Sequence, residues 1–454
     1  MTTTTPPLTL DELRTIVSLC DPNRPLGPGD PLYVPFDEGT PVRGSNARSC
    51  IESLKRLIFL KDETCQLFTG FPGTGKTTEL KRLQAALNDA RDVPTHAIYI
   101  DFEEYLDRYT PATIHDVLRT IAYAMDREAT IAEGKDPDVE PGYLRRLFTF
   151  LSTTDVELQK IGFQAYGASL MLELRNNPTF RQKVETAIRF RFQQFAAEAR
   201  AVMEEATFRL RRARGVSAER VVVLCDGLEK FSPLRDEDRD GMESSVETLF
   251  VQHARLLRLP CHAIYTFPLW LRFRVAELGG LYDAQPEILP MVKITDRAGV
   301  EYGPGVEKLL RLVDLRLGNV ARIFGDDLES TLLPLIRASG GYPRDLLRMV
   351  RQVLIDASGT PPFPIAPQVT QRVLDELSQE YALVVRGTSL PLLRQVAVTH
   401  AMPQGDAAEV ASFGRLLERW LVLAYRDEQE WFDLHPLVRR APIVDRYLER
   451  DGAT

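Results

Sequence analysis

One stretch limits what this chain can become: Cys65-Gln-Leu-Phe-Thr-Gly70-Phe71-Pro72-Gly73-Thr74-Gly75-Lys76-Thr77-Thr78. A short apolar run enters a glycine-rich segment, and Glu79-Leu80-Lys81-Arg82-Leu83 then opens a helical pattern. Strand, loop and helix are the context in which G-x-x-x-x-G-K-[ST] becomes a phosphate cradle. Gly70, Gly73 and Gly75 carry no Cβ, so the backbone can turn sharply and aim N–H groups at a β-phosphate. The helix N-terminus adds partial positive charge. Residues Gly70 to Thr78 are therefore expected to hold the phosphates of ATP or ADP. Within them Lys76 reaches the β/γ-phosphates and the Thr77 hydroxyl holds Mg²⁺.

The 454 residues exceed one ordinary domain. A hydrophobic share of 44% is enough for a real core, and a net charge of −8 gives no global reason to bind nucleic acid or anionic membranes. No apolar run approaches the roughly 18 residues of a transmembrane helix. The start, Met1-Thr-Thr-Thr-Thr-Pro-Pro, lacks the basic and apolar regions of a signal peptide. Five cysteines without C-x-x-C spacing read as buried thiols in a reducing cytoplasm, not as disulfides or metal ligands.

The remaining chemistry follows at strand ends. Arg220-Val-Val-Val-Leu-Cys-Asp226-Gly-Leu-Glu229-Lys230 reads as a central parallel strand covered on both faces. Asp226 is placed to hold Mg²⁺, and Glu229 to polarise the attacking water. His96 to Ile100 reads as another strand, ending in Asp101, Glu103 and Glu104; a solvated loop is the plainer reading of those acids. Cys261 to Thr266 is a third, with Thr266 at its tip as a γ-phosphate sensor or simply a strand end before Pro268. Tyr33-Val34 and Val42-Arg43-Gly44, ahead of the loop, read as a lead-in or as a segment packing on the adenine ring.

Residues 130–215 read as a helical insertion. Arg181 to Arg214 has no Gly or Pro, and its apolar residues at steps of four and three predict one helix of about 50 Å. Nine Lys/Arg against four Glu give it a basic face, either for a partner or nucleic acid or merely solvated. Beyond residue 300 come helices over Gly305–Leu317 and Leu328–Ala338, then Gly341-Tyr342-Pro343-Arg344, where Pro343 suits a first helical turn and Arg344 projects towards the phosphates. A stiff Pro-rich linker spans 359–367. Helices at Leu390–Thr399 and Ser412–Trp420 and a hairpin over Leu421–Leu434 suggest a winged helix.

Together these motifs resemble the STAND branch of P-loop NTPases, of the NACHT and NB-ARC type and related to AAA+ ATPases, in its bacterial stand-alone form. Asp226-Gly-Leu-Glu229 is similar to the NACHT Walker B, Gly341-Tyr342-Pro343 to the Gly-x-Pro of the helical lid, and Leu434-His435-Pro436 to the Met-His-Asp of the winged helix. The resemblance implies that Pro343 packs on the nucleotide and that His435 contacts the β-phosphate of ADP. Lys230 departs from it, standing where a second acid is usual, and Thr266 lacks the sensor arginine. The implied fold is an α/β P-loop NTPase core, a parallel sheet with helices on both faces, plus an all-α lid and a C-terminal winged helix. The expected division is a lead-in (1–48), α/β domain (49–299), lid (300–358), linker and connecting helix (359–389) and winged helix (390–454). The implied function is a cytoplasmic ATP-binding switch ATPase with slow hydrolysis, using Mg²⁺. Its nucleotide state would control homo-oligomerisation or a separately encoded effector, in bacterial signalling or antiviral defence. The alternative is a DNA-binding AAA+ ATPase of the origin-recognition or transposition-helper kind; nucleic acid is the less favoured partner, and no membrane is expected.

Overall fold

The computed structural model describes residues 8–44, 49–138, 142–152, 168–215, 220–231, 236–358 and 363–449. The first residues of the Thr/Pro-rich start and residues 359–362 of the expected linker lie outside them.

Five strands, β1 (Cys65–Gly70), β2 (Thr95–Asp101), β3 (Arg220–Asp226), β4 (His262–Thr266) and β5 (Glu287–Leu289), form one parallel sheet in the order β2-β3-β4-β1-β5. β1, β3 and β4 are nearly continuous runs of buried residues, as a sheet covered on both faces demands. On one face Leu80, Leu83 and Leu87 of the phosphate-loop helix (Lys76–Asn88), with Leu54 and Ile58 of the helix before β1, pack on Phe68, Val222, Leu224 and Ile264. On the other, helices Ile114–Ala132 and Phe192–Arg214 cover Leu67, Val221 and Val223. The core is thus α/β with helices on both faces. Register pairs Asp101 with Asp226, Cys225 with Tyr265 and Phe68 with Thr266, so the strand tips meet along one carboxyl edge beside the phosphate loop.

The expected single helix over Arg181–Arg214 is two. Pro178–Phe190 and Phe192–Arg214 are separated at Arg191, whose φ of −126° and ψ of 34° leave the helical region. No Gly or Pro forces the break; tertiary packing does. Phe192 turns edge-on to His115 at 5.0 Å, and the second helix then runs along Ile114–Ala132, which the first meets near its start through Arg181 and Asp116. Part of the basic face is neutralised by the chain itself: Arg209 pairs with Asp126 (2.7 Å) and Glu133 (2.9 Å), and Arg181 with the fully buried Asp116 (2.6 Å). The helix expected over Leu328–Ala338 likewise divides, with a Pro-initiated second piece at Leu333–Ala338.

Lid, winged helix and N-terminus share one core. Leu13 and Ile16 of the N-terminal helix Leu10–Leu19 pack into the lid, where Arg322 holds Glu12 at 2.9 Å. This segment is therefore part of the lid's packing rather than a loose lead-in. The lid helix Pro343–Ala357 follows a helix over Gly303–Leu317, and the connecting helix Pro367–Val384 leads to the winged helix. The latter comprises Leu390–Thr399, a recognition-position helix Ala407–Glu418 and the hairpin β6 (Val422–Arg426) and β7 (Glu430–Leu434). The recognition-position helix begins earlier than expected, at an Asp406 N-cap whose side chain accepts from Glu409 N–H. Among the described residues no helix is long and apolar enough to cross a membrane.

One glycine fixes the lid against the segment that follows β5. Gly341 has φ +79°, and a Cβ there would stand 1.7 Å from the Val292 carbonyl oxygen, while its own carbonyl accepts from Val292 N–H at 3.0 Å. Gly341→Ala is expected to destabilise the fold by at least about 2 kcal/mol, through both positive φ and overpacking. Thermal unfolding checks this, and an unchanged Tm would contradict the assignment.

Candidate nucleotide site

The phosphate loop is built by its own backbone. Thr74 Oγ1 donates to the Phe71 carbonyl at 2.9 Å, and Gly73 and Gly75 sit at φ +89° and +100°. Gly75 precedes the first helical residue and supplies no side-chain cap, so the helix N-terminus keeps its N–H groups for a ligand. Lys76 Nζ lies inside the loop, donating to the carbonyls of Gly70 and Phe71 at 3.0 Å each. Arg43, stacked 4.3 Å over Phe36, donates to the Thr74 carbonyl at 2.7 Å. The N-terminal segment also meets the start of the helix: Leu26 N–H donates to Thr78 Oγ1 (3.2 Å) and Tyr33 Oη to Glu79 (3.1 Å).

Thr77 Oγ1 donates to Asp226 Oδ2 at 2.6 Å, joining the loop's helix to the end of β3. Tyr99 Oη donates to the same oxygen at 2.7 Å, and Gly227 N–H to Oδ1 at 2.9 Å. Burial and the Glu229 carboxylate push Asp226 above the usual carboxylate range, against the hydroxyls of Thr77 and Tyr99, which favour its charged form. Burial acts to raise Glu229 as well, but Lys76, 3.3 Å away, and the Thr266 hydroxyl outweigh it and hold Glu229 low. Both members of the Lys76–Glu229 pair are at most 4% exposed. Thr266, fully buried, donates to the Cys225 carbonyl at 3.3 Å and so sits between the ends of β3 and β4.

The acids at the end of β2 are engaged rather than merely solvated. Glu103 holds Lys230 at 2.5 Å, and Asp101 accepts from Glu103 N–H at 3.0 Å. Lys230 is therefore paired with an acid from the turn that follows β2.

The lid closes over the loop through one helical turn. Tyr342 Oη donates to the Pro72 carbonyl, and buried Pro343 starts the helix. Arg344 packs where Gly73 lacks a Cβ: its Nε lies 2.4 Å from the ideal Cβ position. Asp345 Oδ2 accepts from His435 Nε2 (3.1 Å) and Tyr381 Oη (2.8 Å). Burial would raise Asp345, but these two bonds outweigh it and hold it below its ordinary value. His435 is fully buried, stacked on Tyr381 at 4.5 Å, with Nδ1 accepting from Leu437 N–H; its Nε2 therefore carries the proton it gives Asp345. Both ring nitrogens of the residue expected to sense ADP are thus engaged with protein groups, and the lid's contacts to the loop are made by Tyr342 and Arg344.

The residues fit a nucleotide and its metal. Arg344 Nε and Glu229 Oε2 are buried beside the loop without hydrogen-bond partners among the described residues, a cation and an anion suited to a phosphate and a water. Thr77 and Asp226 offer the one hydroxyl and one carboxylate with which Mg²⁺ is commonly held on a nucleotide. No cluster of three or more His, Cys, Asp or Glu suited to a metal occurs among the described residues, and all five cysteines are free and buried. The contacts of Tyr99, Asp345 and Tyr381 escaped sequence reading, and Tyr342 was read only as the middle of the Gly-x-Pro triplet. Of the first three only Tyr99 left a signal: strand alternation puts it on the same sheet face as Asp101.

The winged helix is docked on the α/β domain. A Cβ on Gly414 of the recognition-position helix would lie 3.2 Å from Trp270 Cβ, and Phe413 meets Phe273 edge-on at 5.5 Å. Arg239 holds Glu418 (3.0 Å), Arg272 holds Glu430 (2.6 Å), Arg426 holds Glu287 (3.3 Å) and Lys293 holds Asp427. Arg272 and Arg274, which follow the β4 strand, are paired with acids of the winged helix and of the α/β domain respectively.

No family model and no curated protein matches the chain. Among solved structures it is similar to Cdc6p from Pyrobaculum aerophilum, at 13% identity over 96% of this chain and 98% of that one, with a TM-score of 0.35. It is also similar to Drosophila ORC bound to DNA, at 13% identity over 99% and 95%, with a TM-score of 0.36. A third likeness is to Aeropyrum pernix ORC2 in ADPNP–ADP complexes, at 13% identity over 93% and 97%, TM-score 0.34. At this identity and superposition the likeness assigns no activity to the chain.

Glu229→Gln is expected to retain ADP binding while slowing phosphate release from ATP by roughly 100-fold or more, the scale of a lost general base. Phosphate release at the wild-type rate would remove Glu229 from the chemistry.

Proposed function

We propose that the chain is an ATP-binding switch ATPase in which the lid reports the state of the phosphate loop to the winged helix. One observation carries this reading: four consecutive lid residues span the whole path. Tyr342 and Arg344 touch the loop at Pro72 and Gly73, and Asp345 holds His435 at the base of the wing.

Gly70 to Thr78 binds the phosphates, Thr77 and Asp226 hold Mg²⁺, and the ion neutralises charge on the phosphoryl group when bound. Glu229 takes the proton of the attacking water, and its pairing with Lys76 keeps it ionised for that task. Thr266, whose hydroxyl donates to the Cys225 carbonyl, lies at the tip of the next strand, where that hydroxyl favours the charged form of Glu229. Pro343 and Arg344 bind from the lid side. His435 enters this scheme through Asp345. A nucleotide that draws Arg344 towards its phosphates pulls on the turn that also carries Asp345, which biases the lid and winged helix between two arrangements. Exchange of ADP for ATP would release the docked winged helix for oligomerisation or for a partner.

Light scattering tests this. With Mg²⁺ and a non-hydrolysable ATP analogue the wild type should gain mass, with Mg²⁺ and ADP it should not, and Lys76→Ala should abolish the response. An unchanged monomer under both nucleotides would contradict the oligomerising form of the reading.

A second reading, a DNA-binding ATPase of the origin-recognition kind, is favoured by the helix–helix–hairpin unit at the C-terminus. In the docked arrangement its recognition-position helix faces Trp270 and Phe273, so DNA would require undocking. Six or more phosphate contacts would give a slope of log K against log salt near −5 with the ATP analogue bound, since each contributes about −0.9. A flat salt dependence would exclude this reading.

A further inference from the structure

We propose that Tyr99 is a positioning residue for the metal-holding carboxylate, a second support for Asp226 reached from the neighbouring strand. The inference rests on the reading of a Mg²⁺-nucleotide site at Thr77 and Asp226.

Asp226 has no exposed surface, and among the described residues no cation is within its hydrogen-bonding contacts; its carboxylate is held by Gly227 N–H on Oδ1 and by the two hydroxyls of Thr77 and Tyr99 on Oδ2. Thr77 is itself expected on the metal, so its hydroxyl cannot serve only to aim the carboxylate. Tyr99 is the remaining side-chain support. Its origin explains why it is a tyrosine. β2 pairs Tyr99 with Leu224, two residues short of Asp226. Two strand residues advance about 6.6 Å, a span a phenol covers and a serine or threonine hydroxyl does not. Tyr99 also points to the face of the phosphate-loop helix. Its ring packs against the cluster of Leu80, Leu224 and Ile264 and lies 5.2 Å from Lys81 Nζ. A ring held on two sides delivers its hydroxyl with little freedom, which is what a group that orients a metal ligand needs.

The test is Tyr99→Phe, which keeps the ring and its packing and removes the donor. Binding of a fluorescent ADP is titrated in EDTA and then against Mg²⁺, alongside a thermal melt without nucleotide. In EDTA the affinity should equal that of the wild type, because the phosphate loop is untouched. With Mg²⁺, the concentration giving half of the metal-dependent change should rise about tenfold, within the 10- to 100-fold range typical of lost support to a metal ligand. An unchanged Mg²⁺ requirement in a folded variant would overturn the role of Tyr99 alone. A wild type that binds no nucleotide would overturn it together with the reading beneath. Should the Phe variant melt early, the same titration made below its melting temperature carries the same expectation and the same refutation.

Discussion

The 2.6 Å bond from Thr77 to Asp226 is the contact on which the rest of this molecule depends. β1 and β3 are not neighbours; β4 lies between them. The bond can form only if all three strands end at the same height and the helix after β1 starts directly at the loop. The register of the sheet, the glycine at position 75 and the central place of β4 are therefore conditions for one hydrogen bond. The buried Lys76–Glu229 pair is set by the same geometry, since Glu229 lies one 3₁₀ turn beyond Asp226. Breaking either partner of such a buried pair strands a charge, so the site constrains the sheet as much as the sheet positions the site.

That core was legible because its signals are local. The loop is a contiguous string, β1, β3 and β4 are unbroken apolar runs, and Asp226 and Glu229 stand where a strand stops. The helix break at Arg191 was not legible, because the packing beside it, Phe192 against His115, involves a residue far away in the chain. The N-terminal helix gave no sign that it would complete the lid's core, as its apolar face fits many partners. Asp345 and Tyr381 are unremarkable in sequence; their meaning comes from His435 arriving between them. Even His435, singled out by resemblance, is engaged in a way the motif did not indicate, through Asp345 and Leu437 rather than through free ring nitrogens. Lys230 teaches the same lesson: its partner is Glu103, from the turn after β2, which nothing near position 230 in the sequence indicates.

The winged helix illustrates how one element serves two roles. Its aromatic seam with Trp270 and Phe273 supplies adhesion, while four ion pairs ring that seam. Partly exposed ion pairs contribute little each, on the order of 0.2–1 kcal/mol, and are weakened by salt. They therefore specify how the module docks more than how tightly. A docking held by modest, numerous contacts is suited to release by a ligand whose differential affinity is only a few kcal/mol.

The glycines at 340 and 341 give this arrangement a mechanical character. Gly341 lies flush against the backbone of Val292, and a Cβ on Gly340 would strike Leu423 of the wing, whose neighbour Ala424 accepts from Met291 N–H at 3.0 Å. Strand end, lid and wing meet there with no clearance for so much as a methyl group. A joint of that kind has no soft intermediate position: it transmits displacement like meshed gears or disengages altogether. Graded sliding of the lid is thereby disfavoured, and whatever opens this molecule must move lid and wing as one body or part them at this seam in a single step.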